Sequence, residues 1–359
     1  CLMTKSRAVK PTAAAARSRW TATTSTAGTL FFSTRSGSSV PPPLLLHTEQ
    51  LLGNTSNDKR AFDGRADNMA GPYSIVFLHG LLGNGRNLKT FARNVVKKQQ
   101  QKEQILESMS STSSSSLLLH HEKQYHCQGG ILVDLPGHGR SRLSIDEKNG
   151  IPYSFERCVK DVLHSTRTQQ SPLESPSTSR PSVPKILVGH SWGGRLTLEY
   201  TAQQVQSQSE QQIDEDDHSV LHSSWLLDTV PGIANDSVNR VLDAVDQIEE
   251  QSSHGEILDK KQLVETLTDR FKIDMATAQW LASSYKIPEE TGKDGVDFGF
   301  DLHVVKDFFP EFGTQDFMGM VYEILVNGTT QVHVVRGGKN TAWTVPILND
   351  LQKLQKDFP

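Results

Sequence analysis

The run Lys185 to Tyr200, KILVGHSWGGRLTLEY, constrains this chain more than any other segment. It joins an apolar, strand-like stretch to an amphipathic helix through Gly189-His190-Ser191-Trp192-Gly193. A serine hydroxyl attacks a carbonyl only when it is exposed, held on a tight turn and close to a general base. Gly189 and Gly193 lack the Cβ atoms that would crowd the neighbouring chain where a strand turns sharply into a helix. A bare G-x-S-x-G is common in loops and can be a structural turn. The strand before it, the helix after it and the extra Gly194 favour a turn that presents Ser191 as a nucleophile.

The chain has 359 residues, enough to bury one large core or to make two domains. Its apolar share is 36%, below the usual globular fraction, and the deficit lies in polar tracts at residues 99–126, 167–183 and 202–219. Such Gln- and Ser-rich tracts cannot fill a core and are expected to loop out as insertions. A net charge of −4 with no basic patch argues against a nucleic-acid partner. Cys1, Cys127 and Cys158 are too few and too scattered for a disulfide framework or a zinc site, so a reducing compartment is the default. No ligand-spaced His/Cys/Asp cluster indicates a metal, and no organic cofactor is indicated either. No apolar run reaches the length of a transmembrane segment.

The first 48 residues contain no Asp or Glu but carry Lys5, Arg7, Lys10, Arg17, Arg19 and Arg35 among many Ser, Thr and Ala. That is the composition of a transit peptide, and the Arg content favours mitochondrial over plastid import. Leu30 with Phe31-Phe32 is too short to be the apolar core of a secretory signal. Residues 1–70 are therefore read as transit peptide and disordered linker. The chain begins at Cys1, so this reading rests on a partial segment.

Past the linker, YSIVFL at 73–78 reads as a buried strand before a glycine-rich turn, and GILVD from Gly130 as a second strand. With the polar tracts removed, strands alternate with helices through the Ser191 turn to the strand WLLDTV at 225–230. Strands apolar throughout, alternating with helices, predict a mostly parallel sheet covered on both faces. From Pro231 the pattern becomes helix after helix, in NRVLDAVDQIEE, KKQLVETLTDRF and MATAQWLASSY. The sheet resumes with QVHVVRGG at 331–338, followed by the helix VPILNDLQKLQKDF. The expected organisation is an α/β core in two parts, 71–230 and 321–359, with a helical lid at 231–320 inserted after the strand ending at Asp228.

HGLLG at His79–Gly83, DLPGHGRS at Asp134–Ser141, GHSWGG at Gly189–Gly194 and the strand end LLDTVPG together resemble the α/β-hydrolase fold. FGFDLHVVKDFFPEF and VRGGKNTAW also resemble the small esterase/lipase-type subgroup of bacteria and mitochondria that includes abhydrolase domain-containing protein eleven. The likeness covers about residues 73 to 359, interrupted by the polar tracts. It implies a serine hydrolase that cleaves carboxylic ester or thioester bonds of a small acyl substrate through a Ser191 acyl-enzyme, without a cofactor. A non-catalytic binding or scaffolding member of the same fold is the alternative. The sequence names no protein partner.

Attack by Ser191 puts negative charge on the carbonyl oxygen, and backbone N–H donors aimed at it stabilise the intermediate. Trp192, the residue after the nucleophile, should supply one donor. The resemblance places the second at Leu81, just after His79 and Gly80, and gives the His79 side chain a bracing role in that loop. His190 is expected to pack beside the turn, and Asp134 and His138 to organise their loop. No carboxylate follows QVHVVRGG; the next residues are Lys339, Asn340 and Thr341. The Asn340 amide can orient a histidine ring but cannot stabilise an imidazolium. Asp228 is the other candidate acid, and the resemblance puts the acid at that strand, although a strand-end aspartate can equally cap the lid entrance. The resemblance places the catalytic histidine beyond Pro359, in a chain read as a fragment that leaves QVHVVRGG as an open sheet edge. His218, His222, His254, His303 and His333 lie in polar, lid or strand positions unsuited to a base.

Overall fold

The computed structural model describes residues 43–52, 73–112, 127–142, 153–169, 186–211, 221–231, 237–292, 295–315, 317–328 and 330–358. Side chains along strand β2 (Tyr73–Leu78) alternate between two buried surfaces. Ile75 and Phe77 enter one apolar cluster, Val76 and Leu78 the other, and none of the four is more than 1% exposed. A strand covered on both faces has no polar side to show, which is why this stretch reads as continuously apolar. β3 (Cys127–Val133), β4 (Ile186–His190), β5 (Ser223–Leu227) and β6 (Gln331–Val335) run parallel with it in the order β3-β2-β4-β5-β6. β1 (Thr48–Leu52) closes the other edge antiparallel to β3, with Thr48 opposite Val133.

Helix α1 (Gly85–Thr112) lays Leu88, Ala92 and Val96, spaced every four residues, on Ile75, Phe77, Leu132 and Val188. The opposite face carries α2 (Phe155–Gln169) and α3 (Trp192–Gln211). Between β5 and β6 lie α4 (Ser237–Ser253), α5 (Lys260–Asp269), α6 (Met275–Ser284), the single turn α7 (Pro288–Thr291), α8 (Leu302–Thr314) and α9 (Phe317–Asn327). Helix α10 (Val345–Asp357) follows β6. The intervening helices are tied to the core by aromatic rings. Trp192 of α3 stacks on Phe308 of α8 at 4.7 Å and meets Phe155 of α2 edge-on at 5.1 Å, and Phe155 in turn touches Phe317 of α9. Truncating a buried ring of this kind costs about 3–5 kcal/mol, so the insertion is packed, not merely tethered. Among the described residues no helix is long and apolar enough to cross a membrane.

Three details depart from the sequence reading. Residues 99–112 do not loop out but prolong α1, and 202–211 likewise prolong α3; residues 167–169 complete α2. Gln, Lys and Glu have helix propensities close to that of Leu, so a helix nucleated upstream continues through them without an apolar stripe. The remainder of each tract lies outside the described residues. Residues 48–52, assigned to the linker, form β1, whose sequence TEQLL carries too little alternation to stand out. Residues 1–42, the body of the expected transit peptide, lie outside the described residues. The strand expected at 225–230 is shifted to Ser223–Leu227, leaving Asp228 just beyond its end.

Candidate active site

Among the described residues four non-glycines have a positive φ, and three of them, Leu82 (60°), Ser191 (51°) and Asp228 (47°), follow the C-terminal ends of the adjacent strands β2, β4 and β5. Such backbone costs about 1–3 kcal/mol per residue and persists only where the surroundings over-determine it. Ser191 is held from three sides: its N–H donates to Leu227 O at 3.0 Å, while its carbonyl accepts from Gly194 N at 3.0 Å and from Thr229 Oγ1 at 3.2 Å. The glycines make this possible by close approach. A Cβ on Gly189 would strike the Gly193 backbone, one on Gly193 the carbonyl oxygens of Leu78 and His79, and one on Gly194 the Thr229 side chain. Strand β4, helix α3 and the ends of β2 and β5 meet there with no room for a methyl group.

The loop after β2 is braced by two buried histidines. His79 Nε2 accepts from Leu135 N at 2.9 Å and its Nδ1 lies 2.8 Å from Gly80 O, so the ring carries its proton on Nδ1. His138 repeats the pattern: Nε2 accepts from Leu82 N at 3.1 Å, and Nδ1 lies 2.8 Å from Pro136 O. Burial pulls the two pKa values down to about 4 for His79 and about 3 for His138, so both rings are neutral. Asp134 receives the N–H of Gly85 at the start of α1 (2.7 Å) and that of Arg140 (2.9 Å). His79, Asp134 and His138 are thus loop-holding groups. Gly80 packs directly against the elbow, the tight turn at Ser191 between β4 and α3, since a Cβ there would lie 2.9 Å from His190 Nδ1 and 3.4 Å from Ser191 Cβ. Burial lowers the His190 pKa, and the charge of Asp228 opposes that shift. Among the described residues the Leu81 N–H has no acceptor, and Trp192 begins α3 immediately after Ser191.

Asp228 stands beside Ser191. His190 and Leu227 are register partners, and each of the two candidate residues lies one position past its strand end. Open α/β sheets bind ligands at this edge. The Asp228 N–H continues the ladder to Val335 O at 2.7 Å. Its Oδ1 accepts from Gly337 N (2.8 Å) and Trp343 Nε1 (2.8 Å), and its Oδ2 from Asn340 Nδ2 (3.1 Å). Desolvation pushes its pKa up, but the donors, Trp343 foremost, and the nearby His190 outweigh it and hold the carboxyl below the usual carboxylate range. Asp228 and Asn340, alternatives in the sequence, are therefore in contact, the amide donating to the carboxylate. Trp343 and Gly337 were not foreseen. The only sequence signal was a tryptophan in a polar loop, a ring whose N–H needs a partner when buried.

Four of the five histidines set aside as bases in the sequence lie elsewhere. His303 is exposed on α8, His254 is exposed on a turn, His222 precedes β5, and His333 in β6 stacks on Trp225 at 4.1 Å. His218 lies outside the described residues. Among the described residues no histidine hydrogen-bonds Ser191 Oγ or the Asp228 carboxylate, and no group of three or more His, Cys, Asp or Glu could hold a metal ion.

Residues 75–289 match the alpha/beta hydrolase family. No curated protein sequence matches the chain significantly. Similar solved structures include an esterase from a marine microorganism, with 14% identity over 88% of this chain and 100% of that one and a TM-score of 0.49. An enol-lactonase from Burkholderia xenovorans LB400 shows 14% identity over 86% and 84% of the two chains with a TM-score of 0.42. An M. tuberculosis esterase shows 14% identity over 79% and 74%, with a TM-score of 0.40. With the family match extending over more than half of its length, the chain belongs to the alpha/beta hydrolase family.

Proposed function

We propose that the protein is a serine hydrolase that cleaves carboxylic ester or thioester bonds of a small acyl substrate. The observation that carries this reading is the placement of Ser191, at φ 51° on its glycine-packed turn, beside an ionised Asp228 on the neighbouring strand end. A protein with no chemistry at this edge gains nothing from holding two strained residues there. Ser191 Oγ would add to the substrate carbonyl while its proton passes to a histidine base. The resulting oxyanion would be met by the Leu81 and Trp192 N–H groups, each worth about 3 kcal/mol in such sites. Collapse of the tetrahedral species expels the alcohol or thiol, which takes the proton back, and water then releases the acid from Ser191. Asp228 would orient the histidine through Oδ2, which accepts from Asn340 and keeps a further lone pair. The helices between β5 and β6 would act as the lid that selects the acyl chain.

The narrower likeness to the esterase/lipase-type subgroup of abhydrolase domain-containing protein eleven, and mitochondrial import through the acid-free segment before Glu49, belong to the same proposal. A second reading, a non-catalytic binding member of the family, is favoured by one observation: no histidine hydrogen-bonds Ser191 Oγ among the described residues. One experiment separates them. A fluorophosphonate probe should label the protein at Ser191, and Ser191→Ala should lose both labelling and p-nitrophenyl ester turnover while keeping the fold. Turnover retained by the alanine variant sinks the hydrolase reading. A wild-type protein that binds ester but neither labels nor turns over selects the second.

A further inference from the structure

We propose that His138 is a positioning residue through which the inserted helical segment holds the peptide unit after Leu81, and through it steadies the direction of the Leu81 N–H. This deepens the reading of Leu81 as an oxyanion donor and rests on that reading for its catalytic consequence.

A peptide N–H points opposite to the C=O of the same planar unit, so whatever fixes the carbonyl also aims the N–H. The unit that contains the Leu81 N–H has Gly80 O at its other side, and that oxygen is held twice, by His79 Nδ1 at 2.8 Å and by Gly83 N at 3.1 Å. The next unit, from Leu81 to Leu82, is held by His138 Nε2 on the Leu82 N–H at 3.1 Å. Two buried imidazoles thus fix the peptide planes on either side of Leu81. The second is the more demanding, because it keeps Leu82 at φ 60°, a region a leucine avoids by itself. The two rings also contact one another edge-on at 5.2 Å.

His79 belongs wholly to the core, whereas His138 does not. Its turn is sewn to the head of α8 by two backbone hydrogen bonds, Asp301 N to Gly137 O at 2.6 Å and Gly139 N to Gly299 O at 2.9 Å. Phe300 lies against the His138 ring at 6.1 Å, and a Cβ on Gly137 would come within 2.8 Å of Val304. Just beyond, Arg142 grips Asp297 with its two terminal guanidinium nitrogens at 2.7 and 2.5 Å. Residues 297–304 therefore cannot shift without moving the ring that holds Leu82. The arrangement makes the oxyanion donor responsive to the seating of the insertion.

The test follows backbone amide exchange at Leu82 together with the kcat and KM of ester turnover in the folded protein. His138→Leu removes the acceptor and should speed Leu82 exchange about tenfold, the equivalent of one lost hydrogen bond. It should also lower kcat by up to about 10²-fold with KM little changed, as expected when a reacting group is misplaced. His138→Gln restores an acceptor near Nε2 and should recover much of both. Arg142→Gln touches neither Leu81 nor Leu82 and sits at a part-exposed pair, yet it should speed Leu82 exchange several-fold. Unchanged Leu82 exchange in a folded Arg142→Gln protein overturns the coupling, and wild-type kcat in His138→Leu overturns the positioning role. Should His138→Leu fail to fold, the Gln and Arg142 variants decide the matter. A wild-type protein with no esterase activity would count against the proposed function alone, since the exchange results still judge the coupling.

Discussion

Ser191 and Asp228 occupy equivalent places, one residue past neighbouring strand ends, both at positive φ, yet they are held in opposite ways. Ser191 is fixed mainly through backbone, by the Leu227 carbonyl, the Gly194 N–H and the absence of three Cβ atoms, with the Thr229 hydroxyl as the one side-chain contribution. Asp228 is fixed mainly by groups far along the chain, with Gly337, Asn340 and Trp343 converging on its carboxylate. The turn at Ser191 rests on glycines within Gly189–Gly194 and on the adjoining ends of the core strands β2 and β5. A remotely built site depends on the segment after β6 keeping its place.

The largest expected effect lies at the remote residue. Asp228→Asn keeps the shape but removes the charge that would orient and stabilise an imidazolium, and turnover should fall by about 10⁴-fold. Steady-state kinetics on the purified variant would check this. If Asn340→Ala proves more damaging than Asp228→Asn, the acid has been assigned to the wrong strand and the contrast reverses.

Next comes the local turn. Gly189→Ala drives a methyl group into the Gly193 backbone, where no flexible side chain can yield. Overpacking of this kind costs about 1–3 kcal/mol, and here backbone must move, so the upper end is expected. A denaturant midpoint unchanged from wild type would show that the elbow is looser than its packing implies.

The same contrast explains what could be read from the sequence. The elbow was legible because its requirements fall within Gly189–Gly194, and β2 because burial on both faces leaves an unbroken apolar run. The run of helices between β5 and β6 was legible from helical spacing. β1 was not, since a five-residue edge strand with Leu51 buried carries almost no pattern. The continuation of α1 past residue 99 is not legible because low complexity reads as loop, whereas Gln- and Lys-rich sequence prolongs a helix already begun. Trp343 could not be foreseen as a partner of Asp228. No local pattern encodes a contact made across so long a stretch of chain, and the Asp228–Asn340 alternative was posed as a choice when the fold makes it a pair.

Trp343→Phe sharpens the comparison further. Phenylalanine fills most of the space but removes the Nε1–H, the largest of the hydrogen-bond contributions that lower the Asp228 pKa. A charge-assisted hydrogen bond is worth about 1.5–3 kcal/mol, so turnover should drop by about 10- to 100-fold. The sign with pH also follows. A carboxylate with a depressed folded pKa contributes stability that is present above its unfolded pKa and lost as pH falls through the folded value. With the donor gone, the Asp228 pKa rises, and the acid limb of the pH–rate profile should move to higher pH. A limb that stays in place would mean that the indole merely packs.

The smallest effect is expected at Asn340→Ala. Its amide contributes less to the depressed pKa than Trp343 or Gly337 does, and its bond to Oδ2 is the longest of the three at 3.1 Å. Its side-chain oxygen also accepts the Ala342 N–H at 2.9 Å, shaping the turn that brings Trp343 to Asp228. Its bond to the carboxylate is charge-assisted too, but longer and nearer to water, so its loss should cost about 1 kcal/mol and turnover should fall only a few-fold, with a smaller shift of the acid limb than in Trp343→Phe. Because Asn340 holds the Trp343 turn as well as the carboxylate, the two substitutions should not add. In a double-mutant cycle the combined loss should be less than the sum. Strict additivity would mean that the two donors reach Asp228 independently, and the segment after β6 would then be a set of separate contacts and not one support.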